Sequence, residues 1–188
     1  YALSDSGNGI LIQGTTGGTV NVSGADLASK GTQAILVNNS VGTFNFTDMN
    51  VTGGKSNAIL LTDLTGSTTQ FTNLNIATTN ANAAGFAASN AASVSVLNAN
   101  SLSTVSTTEP AINVFGPLGT TTLNLNFNSV TSAVTNGSGN AIILEETGAG
   151  GTIAINGAFV VGGKTGTGAD VTNASGATVS VNGVQISP

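Results

Sequence analysis

Residues 35–51 read ILVNNSVGTFNFTDMNV, and residues 59–76 read ILLTDLTGSTTQFTNLNI. Each stretch holds three short apolar pieces in the same order. The first piece starts after a small residue, at Ala34-Ile35-Leu36-Val37 and Ala58-Ile59-Leu60-Leu61. The second alternates, with Thr43-Phe44-Asn45-Phe46 answered by Thr68-Thr69-Gln70-Phe71. The third closes the unit, Met49-Asn50-Val51 and then Leu74-Asn75-Ile76. Alternation with a period of two belongs to a strand that is buried on one side. No helix produces it, and the density of β-branched residues points the same way.

The unit recurs along the whole chain. Its second piece is anchored at Thr19, Thr43, Thr68, Ser93, Thr122, Thr152 and Thr178, at intervals of 24 to 30 residues. A fixed period over the full length means one supersecondary unit stacked on itself, each copy burying its apolar face against its neighbours. Two inward columns follow. They are Val20, Phe44, Thr69, Val94, Leu123, Ile153 and Val179, and beside them Val22, Phe46, Phe71, Val96, Leu125, Ile155 and Val181. Thr69 alone departs from apolar character. A last apolar residue lies five or six positions beyond each unit's second inward residue, as with Leu27, Val51, Ile76, Val130 and Val160. In the fourth unit the first piece is degraded, to Gly85-Phe86-Ala87-Ala88.

Strands of two to four residues are not stable alone. The expected fold is therefore all-β, a right-handed parallel β-helix (solenoid) of about seven three-strand coils. At about 4.8 Å per coil it would be a rod roughly 30–35 Å long. The whole span 1–188 is expected to form one β-helix domain, a segment of a longer repeat-containing chain. A β-sandwich gives no reason for seven units to stay in phase.

Composition narrows function. Charged residues make up 6 % of the 188, against about 25 % in ordinary globular domains. The net charge is −5, with three lysines, no Arg, no His and no Cys. Without clustered basic residues there is no phosphate-binding surface, so nucleic acid is excluded as a partner. No apolar run is long enough to insert in a membrane. No Ser–His or Cys–His arrangement can be built. The eight carboxylates (Asp5, Asp26, Asp48, Asp63, Glu109, Glu145, Glu146 and Asp170) are scattered. Glu145-Glu146 is the single adjacent pair. Neighbours on an extended chain point to opposite sides, so solvated turn carboxylates are expected there rather than a catalytic or metal site. No catalytic residue, metal ligand or cofactor is implied.

Two surface features qualify as binding candidates. One is the outward Thr-x-Asn face of the second strand, represented by Thr43, Asn45, Thr122 and Asn124. Stacked Thr and Asn form polar ladders along the axis. The other is a corner where the links lengthen, at residues 103–110, 131–140 and 162–168; insertions on one side of a solenoid often mark its binding face.

The pieces Phe46-Thr47-Asp48-Met49-Asn50 and Phe71-Thr72-Asn73-Leu74-Asn75, with Ala34-Ile35-Leu36 and Ala58-Ile59-Leu60, resemble bacterial right-handed β-helix surface proteins. These are autotransporter passengers, filamentous adhesins and giant repeat-rich exported proteins, within the pectin-lyase-like fold group. The resemblance spans residues 7–187. It implies a non-catalytic structural or adhesive rod at the bacterial outer surface or outside the cell. Its partners would be neighbouring β-helical repeats, end-to-end copies, or host or surface glycans and proteins. Two other expectations stand beside it: a carbohydrate-active β-helix, such as a tailspike-like depolymerase or lyase, and an ice-binding β-helix using the Thr-x-Asn face.

Overall fold

In a computed structural model the chain is a parallel β-solenoid with no helix among the described residues. Those residues are 2–3, 7–28, 31–52, 56–78, 84–99, 101–105, 109–115, 122–137, 141–145, 151–157, 159–164, 169–172, 177–181 and 184–186. Three rows of parallel strands form three faces. Face one aligns Ile10, Ile35, Ile59, Phe86, Ile112 and Ile142. Face two aligns Val20, Phe44, Thr69, Val94 and Leu123. Face three aligns Leu27, Val51, Ile76, Leu102, Val130 and Phe159.

The inward residues of all three faces meet in one core, as the period-two pattern demands. Ile35, Ile59, Phe71, Ile76, Ile112 and Leu125 are fully buried. Phe46 and Phe71 stack with ring centroids 4.8 Å apart and planes 12° from parallel, so their separation matches the rise of one rung. Phe86 meets Phe71 edge-on at 5.8 Å and 80°. Burying each of these rings contributes about 1.5–3 kcal/mol. The aromatic contacts add roughly 0.5–1.5 kcal/mol per pair. The fourth unit is therefore not degraded: Phe86 fills with one ring the space that Ile takes in the other rungs.

Small residues open face one for a steric reason. A Cβ on Gly9 would sit 2.6 Å from the carbonyl oxygen of Ala34, and one on Gly85 would sit 2.9 Å from that of Ala111. Adjacent rungs approach closely there, and Ala34, Ala58, Ala111 and Ala141 are completely buried.

The corners depend on the left-handed backbone region. Asn39, Asp63 and Asn90, each just past face one, have φ of 44°, 54° and 53°. Asp48 and Asn73, just past face two, have φ of 54° and 56°. Gly14 (φ 68°) and Gly24 (φ 65°) take these two corners in the first turn. Asn, Asp and Gly adopt this conformation at least cost. Because the kink occupies one residue, the strand need not end at a corner. Ile59–Thr78 runs unbroken over all three faces as 20 residues, where separate pieces of two to four were expected.

Other expectations need correction. About four turns make up the solenoid where seven coils were expected; beyond Phe115 the rows continue across links that lie outside the described residues. The last piece, Val184–Ile186, does not continue face three. It folds back antiparallel on the strand Ala177–Val181, with Val179 opposite Ile186. Register also slips. Leu123 stacks on Val94, but Ile153 lies over Leu125 rather than Leu123, and Ile155 over Phe127. A shift of two residues keeps every inward side chain inward, so the core tolerates it. In the same region Phe159, not Val160, turns toward the core; Val160 is 48 % exposed.

Candidate functional site

The four candidate residues of face two fall in two columns. Thr43 pairs with Thr19 and Thr68, and the column runs on through Ser93 to Thr122. Asn45 pairs with Asn21 and Gln70, and that column runs through Ser95 to Asn124. Thr43–Asn45 and Thr122–Asn124 thus share one surface, three rungs or roughly 14 Å apart. Thr43 and Asn45 are half-buried and Asn124 is exposed, while the side chain of Thr122 lies outside the described residues. Above Asn124 the slip brings Thr152 rather than Ala154, so the Thr column and the Asn column do not continue in their own lanes. Asn45 Nδ2 donates to Asn21 Oδ1 at 2.8 Å. Gln70 Nε2 turns sideways to Thr72 Oγ1 at 3.4 Å. The regular surface is hydrogen-bonded along the solenoid axis between its first two rungs and along the strand itself in its third.

A second polar array lies on face three. Asn50 Nδ2 donates to Asp26 Oδ1 at 3.1 Å, and Asn75 Nδ2 to Asn50 Oδ1 at 2.9 Å. Ser101 Oγ donates in turn to Asn75 Oδ1. At the adjoining corner Asn73 Nδ2 reaches Asp48 Oδ1 at 2.7 Å. At the corner past face one Asn90 Nδ2 reaches Asp63 Oδ1 at 3.1 Å. In every case the amide donates to the rung before it. An Asn amide both donates and accepts, so it can sit anywhere in such a chain, while an ionised carboxylate accepts only. Asp26, Asp48 and Asp63 each occupy the accepting end. A charged acceptor strengthens the bond it terminates.

Between the face-three ladder and the Asp48–Asn73 corner is a shallow groove of about 450 Å³, lined by Asp48, Met49, Asn50, Asn73 and Asn75. Its rim carries carboxylate and amide groups; its floor is the buried Met49. A second groove of about 440 Å³ lies at the face-one corner, among Thr15, Asn39, Ser40, Val41, Asp63 and Thr65. There Thr15 Oγ1 donates to the Val41 carbonyl at 3.1 Å and Ser67 Oγ to the Ser40 carbonyl at 2.8 Å. These groups can hydrogen-bond a polar ligand such as a hydroxylated sugar. Among the described residues no group of three or more His, Cys, Asp or Glu side chains could hold a metal ion.

Sequence reasoning singled out the Thr-x-Asn surface and missed the face-three array. The signal was the Asp-x-Asn and Asn-x-Asn spacing of Asp48-Met49-Asn50 and Asn73-Leu74-Asn75, one repeat apart. Of the Glu145-Glu146 pair, Glu145 ends the strand Ile142–Glu145 beside Phe115 and Thr172; Glu146 lies outside the described residues, as do Lys30 and Lys55. The lengthened corner is in part strand, since Val130–Gly137 and Phe159–Lys164 pair as far as Gly137 with Lys164; residues 106–108, 138–140 and 165–168 of it lie outside the described residues.

Compared with protein-family models, with curated proteins and with solved structures, the chain matches none.

Proposed function

We propose that this chain is a non-catalytic rod segment of an exported bacterial surface or fibre protein, structural and adhesive in role. The observation that carries the reading is the stacking of equivalent residues from rung to rung, inside and out. Phe46 lies on Phe71 in the core, and Asp26, Asn50, Asn75 and Ser101 are linked in series on the surface. Such a solenoid resists bending and pulling through many equal backbone and side-chain hydrogen bonds. It projects the same polar groups at each rung, which suits repeated weak contact with glycans or proteins. Its charge of −5 and its three lysines fit neither nucleic acid nor an anionic membrane surface.

The sugar-binding part of this reading rests on the groove at Asp48, Asn50, Asn73 and Asn75. Two measurements test the whole. Antibody raised against the chain should label intact, unpermeabilised cells of the source bacterium; labelling only after permeabilisation sinks the surface assignment. Incubation with acidic and neutral polysaccharides should leave their chain length unchanged. Depolymerisation lost in Glu145→Gln would replace the rod with a carbohydrate-active β-helix.

A further inference from the structure

The outward side of face one differs from the other two. Face two presents Thr, Asn, Gln and Ser; face three presents Asp, Asn and Ser before its inward residues, and Ala77, Ser103, Thr131 and the exposed Val160 after them. Face one presents Leu11, Leu36, Leu60, Ala87, Asn113 and Ile143, stacked in one column by the strand register. The strand register places these residues on the outward side; in Ile35–Asn38 and in Ile112–Phe115 the first and third residues are buried and the second is not, whereas the small Ala87 is recessed, at 6 % exposure. Leu11 is 53 % exposed, and Leu36 and Leu60 are half-buried, as are the solvent-facing Asn45 and Gln70. A parallel strand with apolar residues on both sides is the pattern of a sheet covered on both sides. An apolar stripe on the outside of a protein is an interaction site more often than an accident.

Charge indicates the occupant. The face-one segments 10–13, 35–38, 59–62, 86–89 and 112–115 contain no charged residue, and the carboxylate nearest in sequence, Asp63, stands at the corner beyond Thr62. Next to the apolar column run Gln13, Asn38, Thr62 and Ser89, all neutral hydrogen-bonding groups, and after them the exposed Phe115. A basic or acidic partner finds no counter-charge on this surface, and a lipid surface finds no flanking Lys or Arg. A surface that is neutral, apolar along its midline and amide-flanked is complementary to itself. We propose that face one is a lateral interface between two copies of this chain, packed sheet to sheet with their axes antiparallel.

A two-fold axis lying midway between the two sheets, parallel to the strands and level with the gap between the Leu36 and Leu60 rungs, sets Leu36 of one copy against Leu60 of the other. It also sets the protruding Leu11 against the small Ala87. Large meets small and each contact occurs twice, as an isologous interface requires. The two sheets would lie about 10 Å apart. Four rungs at about 4.8 Å, two outward residues wide, bury on the order of 600 Å² in total. That is about half of what a standard stable interface buries. The dimer is therefore weak and concentration-dependent in an isolated chain, and strengthens with every further rung in a longer rod. This contact runs along the side of the solenoid. It does not depend on surface location or sugar binding, and it is separate from stacking at the ends.

Sedimentation equilibrium of the chain between about 10 µM and 2 mM tests it. The expected result is a monomer–dimer equilibrium whose dissociation constant rises at least tenfold in the double variant Leu36→Lys, Leu60→Lys, with an unchanged far-ultraviolet spectrum. If the lysines disturb folding, Leu36→Thr with Leu60→Thr is read instead, because β-branched Thr suits a strand and removes the apolar surface. The chain has no Cys, so single reporters are clean. With a thiol-specific cross-linker of about 10 Å, matched to the sheet spacing, Leu36→Cys should couple to Leu60→Cys in mixed samples faster than either couples to Asn45→Cys or Asn50→Cys. A monomer at every concentration overturns the proposal. So does a dimer unaffected by both double variants, or cross-linking fastest from face two or face three.

Discussion

The rungs from Ile35 to Val105 and those from Thr122 onward are built on the same unit and do not stack in the same way. In the first region successive anchors are 24 or 25 residues apart, from Thr19 to Ser93. There Thr lies on Thr, Phe46 on Phe71, and the amide ladders join rung to rung. Toward and within the second the spacing widens to 29 and 30 residues before narrowing to 26 at Thr178. Ile153 then slides to Leu125, Val160 turns outward, and the chain ends its ladder in an antiparallel hairpin. A constant period lets like stack on like, and stacked identical groups hold the register that produced them. Once links lengthen, the core asks only that alternate residues face inward, and a slip of two satisfies that. The outward Thr and Asn columns do not survive such a slip in their own lanes, although Asn156 Nδ2 still donates to Asn126 Oδ1 one rung back, at 2.5 Å.

The largest effect that separates the two regions should come from Phe71→Ala. Phe71 is wholly buried between Phe46 and Phe86, and the cavity should cost about 3–5 kcal/mol. Denaturant unfolding should show a greater loss than for Ile153→Ala, where about 2–5 kcal/mol is the range for the residue type and no ring is stacked on the site. Equal or reversed losses would mean that aromatic stacking does not distinguish the regions.

Next comes Asn73→Ala, expected to cost about 1–2 kcal/mol. It loses the charge-assisted bond to Asp48 and puts a Cβ-bearing residue without a local hydrogen bond at φ 56°. Asn73→Gly keeps the backbone and should recover part of that loss. If the two variants unfold at the same denaturant concentration, the corner conformation contributes nothing.

Thr69→Val has the opposite sign. Thr69 is buried in the inward column between Phe44 and Val94, and its Oγ1 has no hydrogen-bond partner. Removing an unsatisfied hydroxyl while keeping its shape should stabilise the chain by about 1 kcal/mol. A destabilised Thr69→Val would show that the hydroxyl is satisfied after all.

The smallest effect is expected at Asn124→Ala. Asn124 is exposed and sits where the Asn column breaks, so the change should stay within about 0.5 kcal/mol. Asn45→Ala, which removes a ladder bond in the regular region, should cost more than that. The order of these two, measured by thermal or denaturant unfolding, tests whether outward ladders matter for stability where they are continuous.

Most of the fold was legible because its causes are local and repeated. The alternation in Thr43-Phe44-Asn45-Phe46 placed Phe44 and Phe46 inside and Thr43 and Asn45 outside, and the structure has them so. Thr69 stands out as the odd member of its column, and its buried hydroxyl has no hydrogen-bond partner. Phe86 was misread because it was matched to Ile by type. Packing matches by volume, and one ring replaces a branched side chain if its neighbours yield. Val160 was misplaced because Phe159 and Val160 are both apolar, so hydropathy could not choose between them. The face-three ladder was overlooked although Asp48, Asn50, Asn73 and Asn75 were all quoted. Its meaning needs the corner conformation as well as the repeat.

What the residues determined unaided was the period and the choice of inside and outside, since both follow from alternation and from the cost of leaving apolar columns in water. That is enough to make a solenoid. Which residue lies over which beyond Leu125, and which amides find an acceptor one rung away, was decided in three dimensions. A slip of two leaves hydrophobic burial unchanged, so the balance is struck by close packing, corner backbone and hydrogen-bond geometry, and these exist only when the rungs are already stacked.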